Sequence, residues 1–158
     1  MKRSLTIIII ILVFGLFSSC LKNEICSPTD IEMQAGIYTG SVLTEPIVLS
    51  ASKIDIDTLY ALTQKDNNLL LKAVQVGEIA LPLNNASNES SFVISMGESK
   101  DTIRVLYDKQ LLFKSVKCGV TYTYIITKIE HSNNLLQKII ISNSSIDVIS
   151  KENIQLVF

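Results

Sequence analysis

Few side chains in this chain are of the types that perform nucleophilic or acid–base catalysis. Among its 158 residues there is one histidine, His131, and three cysteines. A catalytic nucleophile needs a neighbouring base and an orienting acid. His131 follows Glu130 in a polar stretch, and the sequence contains no G-x-S-x-G motif. We therefore expect His131 to be a solvated turn residue, and we expect no catalytic residue, metal site or cofactor.

Asp55 and Asp57 are the carboxylates whose spacing best suits chemistry. They lie two positions apart, so in a strand both side chains point to the same face. Hydrolysis of a glycosidic bond needs two carboxylates that face each other. Asp55 or Asp57 would therefore need a second acid, such as Glu78 or Asp101, about 5–10 Å away. The alternation of these aspartates with Ile56 favours a simpler interpretation, the charged outer face of a strand.

The N-terminal residues have the order of a secretory signal peptide. Two basic residues precede the uncharged stretch Leu5–Phe17, and Ser18, Ser19 and Cys20 follow. This order is typical of a signal peptide, and thirteen residues are short for a spanning helix, which needs roughly 20. The alternative is an uncleaved N-terminal anchor followed by an ordinary cysteine.

Cys20 after small residues resembles the bacterial lipobox, although Phe17 stands where leucine is usual. The resemblance implies that residues 1–19 are a cleaved lipoprotein signal peptide and that Cys20 carries acyl chains such as palmitate. Residues 20–29 would then be a lipidated linker. Two or more acyl chains hold a protein stably on a membrane.

The residues after Cys20 also bear on location. In lipoprotein sorting an aspartate at the next position marks retention in the inner membrane, and Leu21 resembles the outer-membrane default. Display on the cell surface typically needs an acidic run there, whereas Glu24 is the one acid in the segment 21–24. We expect a lipid anchor in the outer membrane, with the periplasmic face favoured over the cell surface.

Cys26 and Cys118 remain once Cys20 is assigned to the lipid. An exported protein occupies an oxidising compartment, and an even remainder of cysteines suggests a bridge. We predict a Cys26–Cys118 disulfide, with two separate buried thiols as the alternative. Two cysteines 92 positions apart lack the spacing of a metal-ligand pair.

The sequence pattern of the remaining residues predicts β-strands. This part of the chain is rich in Ile, Val and Thr, and apolar and polar residues alternate in several segments, which favours β-structure. Turn signals stand between these segments, for example at 97–101 and 143–145. We predict an all-β domain over residues 30–158, an antiparallel β-sandwich (immunoglobulin-like or related) of about eight to ten short strands. The runner-up is a small closed barrel.

Three local expectations follow from the same patterns. The segments 102–107 and 111–116 are predicted to form two separate strands. Leu59–Leu62 has the composition of a helical turn. Val120, Tyr122, Tyr124 and Ile126 alternate with Thr121, Thr123, Ile125 and Thr127, which predicts that the first four side chains fill the core.

Several short motifs together resemble a family of small Bacteroidota lipoproteins catalogued as a domain of unknown function, number six-four-five-two. They are the lipobox-like start, the cysteine soon after it, Gly36-Ile37-Tyr38, Leu81-Pro82-Leu83, the stretch 101–107, and Cys118-Gly119 leading into Tyr122-Thr123-Tyr124. The resemblance implies export, lipidation and a β-rich domain. It implies no activity, because none is assigned to the family.

The net charge of −1 does not indicate the basic surface that a nucleic-acid-binding domain presents. We expect an exported, lipid-anchored envelope lipoprotein whose domain is a non-catalytic binding or structural unit. Its expected partners are the membrane, through the N-terminal lipid, and an envelope protein. The alternative is an enzyme that acts on envelope glycans or peptidoglycan through paired carboxylates.

Overall fold

A computed structural model describes residues 26, 31–42, 47–62, 67–149 and 151–158. The predicted signal peptide 1–19 lies outside the described residues, as does the linker 20–29 with the exception of Cys26. The described part of the chain contains strands and no helix, which confirms the all-β prediction.

The described residues form eleven strands. They are β1 (Glu32–Ser41), β2 (Val48–Ala51), β3 (Ile54–Leu62), β4 (Asn67–Val76), β5 (Glu78–Pro82), β6 (Glu89–Met96), β7 (Ser99–Ser115), β8 (Gly119–His131), β9 (Lys138–Ile141), β10 (Ser145–Ile146) and β11 (Glu152–Val157).

These strands build two sheets. One has five strands in the order β2-β1-β11-β9, with β5 also paired to β1, and the other has six in the order β10-β8-β7-β6-β3-β4. Both sheets are open, so the described strands form the predicted sandwich and not the closed barrel that was the runner-up.

One strand pair departs from the predicted antiparallel arrangement. β1 and β11 run parallel, with Ile37 opposite Leu156. Parallel neighbours need a long crossover connection, and nearly the whole domain connects these two strands. Local alternation carries no information about the direction of such a distant partner.

The core lies between the two sheets. Alternate residues of each sheet point inward, as the period of a strand requires. The five-stranded sheet contributes Met33, Ala35, Ile37, Ile154 and Leu156 to this core, and the six-stranded sheet contributes Ile56, Leu59, Phe92, Ile94, Ile103, Val105 and Tyr107.

Two of the local expectations are wrong. β7 is one continuous strand of 17 residues, because Asp108, Lys109 and Gln110 pair with β8 and join the two predicted segments. Leu59–Leu62 is not a helical turn but the end of β3, where hydrogen-bonded neighbours on both sides, β4 and β6, hold it extended.

Candidate functional site

The inner face of the β7–β8 hairpin continues past the end of the core. Along β7, Ile103, Val105 and Tyr107 are buried, whereas Leu111 and Phe113, which have the same phase in the strand, are each 63% exposed. Because side chains two positions apart share a face, one apolar row of β7 is covered at its start and uncovered at its end.

β8 contributes matching apolar residues to this exposed end. Tyr122 lies opposite Leu111, and Val120 lies opposite Phe113. Residues directly opposite each other in a sheet share a face, so these four side chains form one surface, which we call the tip face. The hairpin turn adds Val116, which is 96% exposed.

This arrangement corrects one sequence prediction. Tyr124 and Ile126 are buried, as predicted, but Val120 and Tyr122 are exposed. The ring of Tyr124 still meets the ring of Tyr107 edge to face, with centroids 5.2 Å apart. Alternation fixes the face on which a side chain lies, but the reach of the opposite sheet decides whether that face is covered.

Lysines accompany the tip face. The hairpin carries Lys109, Lys114 and Lys117, and the sequence has no acidic residue from 109 to 129. The Nζ atom of Lys109 lies 5.8 Å from the centroid of the Tyr122 ring and donates a hydrogen bond to the carbonyl oxygen of Asn85 at 3.0 Å. The exposed end of the hairpin is therefore both apolar and basic.

The predicted disulfide is present at the turn of this hairpin. It joins Cys118 to Cys26, with the two Cα atoms 5.4 Å apart. The backbone N–H of Cys118 donates to Ser115 Oγ at 3.1 Å, which helps to fix the turn. The bond places the start of the described chain beside the tip face.

A cleft of about 330 Å³ opens beside the tip face. Its walls combine the beginning of β1, the loop after β5 and the hairpin, and its lining includes Ile31, Glu32, Pro82, Leu83, Val120 and Tyr122. A second cleft of about 320 Å³ lies on the other side of the same loop and shares Pro82, Leu83 and Asn85 with the first.

The loop between the clefts is fastened to the six-stranded sheet. The Tyr107 hydroxyl donates to the carbonyl oxygen of Asn84 at 2.8 Å and lies 2.9 Å from Ser90 Oγ, while Asn84 N–H donates to Ser90 Oγ. Burial raises the pKa of Tyr107 above its ordinary value. The phenol stays neutral, and it positions the loop.

The carboxylates singled out from the sequence make separate structural bonds. Asp55 Oδ1 accepts from the backbone N–H and the side-chain amide of Gln75, at 3.0 and 2.9 Å. Gln75 has a positive φ of 62°, so these bonds hold a left-handed residue in place. Asp57 accepts from the N–H of Gly97 in the β6–β7 turn at 2.6 Å.

Asp101 is a buried carboxylate whose role the sequence analysis missed. Its two oxygens accept bonds from Ser132 Oγ (2.6 Å) and from the N–H groups of Asn134 (2.8 Å), Leu135 (2.7 Å) and Leu136 (2.7 Å). Burial raises its pKa, but the bonds from Ser132 and the three amides outweigh burial, and the pKa of Asp101 lies below its ordinary value. The carboxylate fastens the loop after β8 to β7.

His131 is not in a turn. It is the last residue of β8, half-buried, and its backbone pairs with Ile103. Its Nδ1 atom lies 2.8 Å from the carbonyl oxygen of Ser132.

An exposed ion cluster lies on the outer face of the six-stranded sheet. Arg104 contacts Glu89 and Glu130, and Lys128 Nζ lies 2.6 Å from Glu130. The hydrogen bond and charge of Glu89 raise the pKa of Arg104, and those of Lys128 lower the pKa of Glu130.

Within the described ranges, no group of three or more His, Cys, Asp and Glu side chains is arranged to hold a metal ion.

The described residues include no helix that is long and apolar enough to cross a membrane. No curated protein and no solved structure matches the chain. A family of unknown function, DUF6452, matches residues 56–158, which include the whole β7–β8 hairpin, Cys118 and Asp101. With nearly two thirds of its length matched, the chain belongs to this family, DUF6452.

Proposed function

We propose that the protein is an exported envelope lipoprotein, anchored by acyl chains on Cys20, whose β-sandwich is a non-catalytic binding domain. The observation that carries the proposal is the tip face, an apolar surface left uncovered and linked through Cys118 to the segment that follows the lipid. An exposed apolar patch with a polar rim marks a site that contacts either another protein or a membrane.

The anchor is supported by the order of residues at the N-terminus. Basic residues, a short apolar stretch and Ser18-Ser19-Cys20 form the lipobox-like sequence. Lipid on Cys20 would place the membrane six positions before Cys26. Leu21 after the cysteine supports the outer membrane, and the single acid in the segment 21–24, Glu24, supports its periplasmic face over the cell surface.

The hydrogen bonds that the aspartate side chains accept support a non-catalytic role. Asp55 accepts a hydrogen bond from the backbone N–H of Gln75, and Asp57 accepts one from that of Gly97. The buried carboxylate of Asp101 accepts four hydrogen bonds. Each of these carboxylates is engaged in structural hydrogen bonds within the fold. An enzyme acting on glycans or peptidoglycan would instead need two acids that face one substrate.

A pull-down from gently solubilised outer membrane tests the proposal. The tagged full chain should co-purify an envelope protein in fixed proportion, and the Cys20→Ala variant, which cannot be acylated, should lose that partner. A double variant, Asp55→Asn with Asp57→Asn, should keep it. Release of soluble fragments from glycan or peptidoglycan by the purified chain, abolished in the double aspartate variant, would contradict the proposal.

A further inference from the structure

We infer that the tip face enters the lipid bilayer that holds the acyl chains of Cys20, so that the protein contacts its membrane through the lipid and the hairpin together. This inference rests on the proposed lipid anchor and adds a second membrane contact to it. The occupant of the tip face is phospholipid.

The first argument is the length of the tether. A chain spans at most about 3.6 Å per residue, so the six steps from Cys20 to Cys26 cover no more than about 22 Å in any conformation. Cys26 is joined to Cys118, with Cα atoms 5.4 Å apart. The hairpin turn is therefore confined to the neighbourhood of the acylated residue.

The second argument is the chemistry of the exposed side chains. Leu111, Phe113, Val116 and Val120 are all more than half exposed. Such side chains bury apolar surface at the boundary between headgroups and acyl chains. Tyr122 stands at the inner end of the tip face, and an aromatic ring with a polar group suits the membrane interface.

The third argument is charge. Lys109 shares the face of Leu111 and Phe113, and Lys114 and Lys117 follow within four positions of Phe113. The sequence has no acidic residue from 109 to 129. Lysines bury their aliphatic stems against apolar surface and keep the ammonium group at the level of the headgroups. Anionic phospholipids attract basic residues near the surface, so the hairpin complements a bilayer that contains them.

A single tryptophan gives a direct test, because the chain contains none. Two full-length, acylated variants, Phe113→Trp and Val48→Trp, are reconstituted into vesicles of phosphatidylethanolamine and phosphatidylglycerol. The replaced residues are exposed to similar extents, 63% and 67%. Val48 pairs with Ser41, at the opposite end of β1 from Glu32, which lines the cleft beside Tyr122.

We expect the emission maximum of Phe113→Trp to shift to shorter wavelength and its intensity to fall when the vesicles contain lipids brominated on the acyl chains. The emission of Val48→Trp should stay that of a water-exposed indole and lose no intensity. Replacing phosphatidylglycerol by phosphatidylcholine should reduce the quenching of Phe113→Trp.

Three outcomes would overturn the inference. Phe113→Trp emission that is neither blue-shifted nor quenched by brominated lipid would place the tip in water. Equal quenching of both variants would show that lipid contact is not specific to the hairpin. A blue shift without lipid quenching would assign the tip face to a protein, either a partner or a second copy of the chain.

The intact mass of the same samples separates this inference from the proposed function. An acylated chain that begins at Cys20 but shows no quenching at position 113 refutes the membrane contact and leaves the anchor standing. A chain without acyl groups refutes the anchor itself, whatever the fluorescence shows.

Discussion

Cys26 and Cys118 lie 92 positions apart in the chain, and their disulfide brings the two Cα atoms to 5.4 Å. One end of this bond is the turn of the longest hairpin in the described structure, and the other lies six positions after Cys20. The bond therefore couples the proposed lipid attachment to an end of the sandwich where the inner face of the β7–β8 hairpin is uncovered.

Reduction of this disulfide should lower stability strongly. A bridge that closes a loop of about 90 residues restricts the unfolded chain by about 4–5 kcal/mol in the loop-entropy account. We expect reductant to lower the urea midpoint of the oxidised protein. The double variant Cys26→Ser with Cys118→Ser should already have the lower midpoint and should not respond to reductant. Equal midpoints for the oxidised and reduced protein would contradict the prediction.

Substitutions on the tip face should leave the fold intact. Phe113 is largely exposed, so Phe113→Ser should cost less than about 1 kcal/mol of unfolding free energy, in the range of surface and cross-strand changes. Phe92 is fully buried, and Phe92→Ala should cost about 3–5 kcal/mol. Urea denaturation of both variants checks this contrast, and a similar loss in both would mean that Phe113 is part of a packed core.

Asp101→Asn should destabilise the protein by about 3 kcal/mol, because it removes a buried, charged acceptor and turns an amide group toward backbone donors. The affected donors are those of Leu135 and Leu136 or of Asn134. Asp108→Asn is the matched control, because Asp108 lies on the same strand and is exposed, and it should change the unfolding free energy by less than about 0.5 kcal/mol. Thermal or urea unfolding gives the comparison.

The lowered pKa of Asp101 also predicts a pH dependence. A carboxyl group whose folded-state pKa lies below its ordinary value of 3.8 binds protons more readily in the unfolded state. Its stabilisation is complete above that ordinary value and is lost as the pH falls through the lower, folded-state pKa. The difference in unfolding free energy between the wild type and Asp101→Asn should be constant at neutral pH and should shrink below about pH 4. A difference that grew with acidification would be the opposite of this expectation.

The strand pattern made much of the fold predictable. The alternation of Asp55 and Asp57 with Ile56 falls within β3, and the turn signal at 97–101 includes the turn between β6 and β7. What the pattern lacks is information about distant neighbours. β1 and β11 pair in parallel across nearly the whole domain, and Leu59–Leu62 is held extended by strands on both sides.

The candidate site was predictable only in part, for the same reason. The disulfide followed from the number of cysteines, but the exposure of Val120 and Tyr122 depends on where the opposite sheet ends. Asp101 did leave a signal, because it shares the phase of Ile103, Val105 and Tyr107 and so had to point inward. Its partners could not be foreseen, since three of them are backbone amides of a loop more than 30 positions away.

A single peptide map tests the coupling of lipid, disulfide and hairpin most directly. Cleavage of the mature, unreduced protein before its aspartates should release peptide 20–29 joined to peptide 108–146, since Asp30, Asp108 and Asp147 bound these segments. Mass spectrometry should find acyl chains on Cys20 and the Cys26–Cys118 bond in this one linked pair. An unacylated Cys20, or peptides that separate without reductant, would contradict the account.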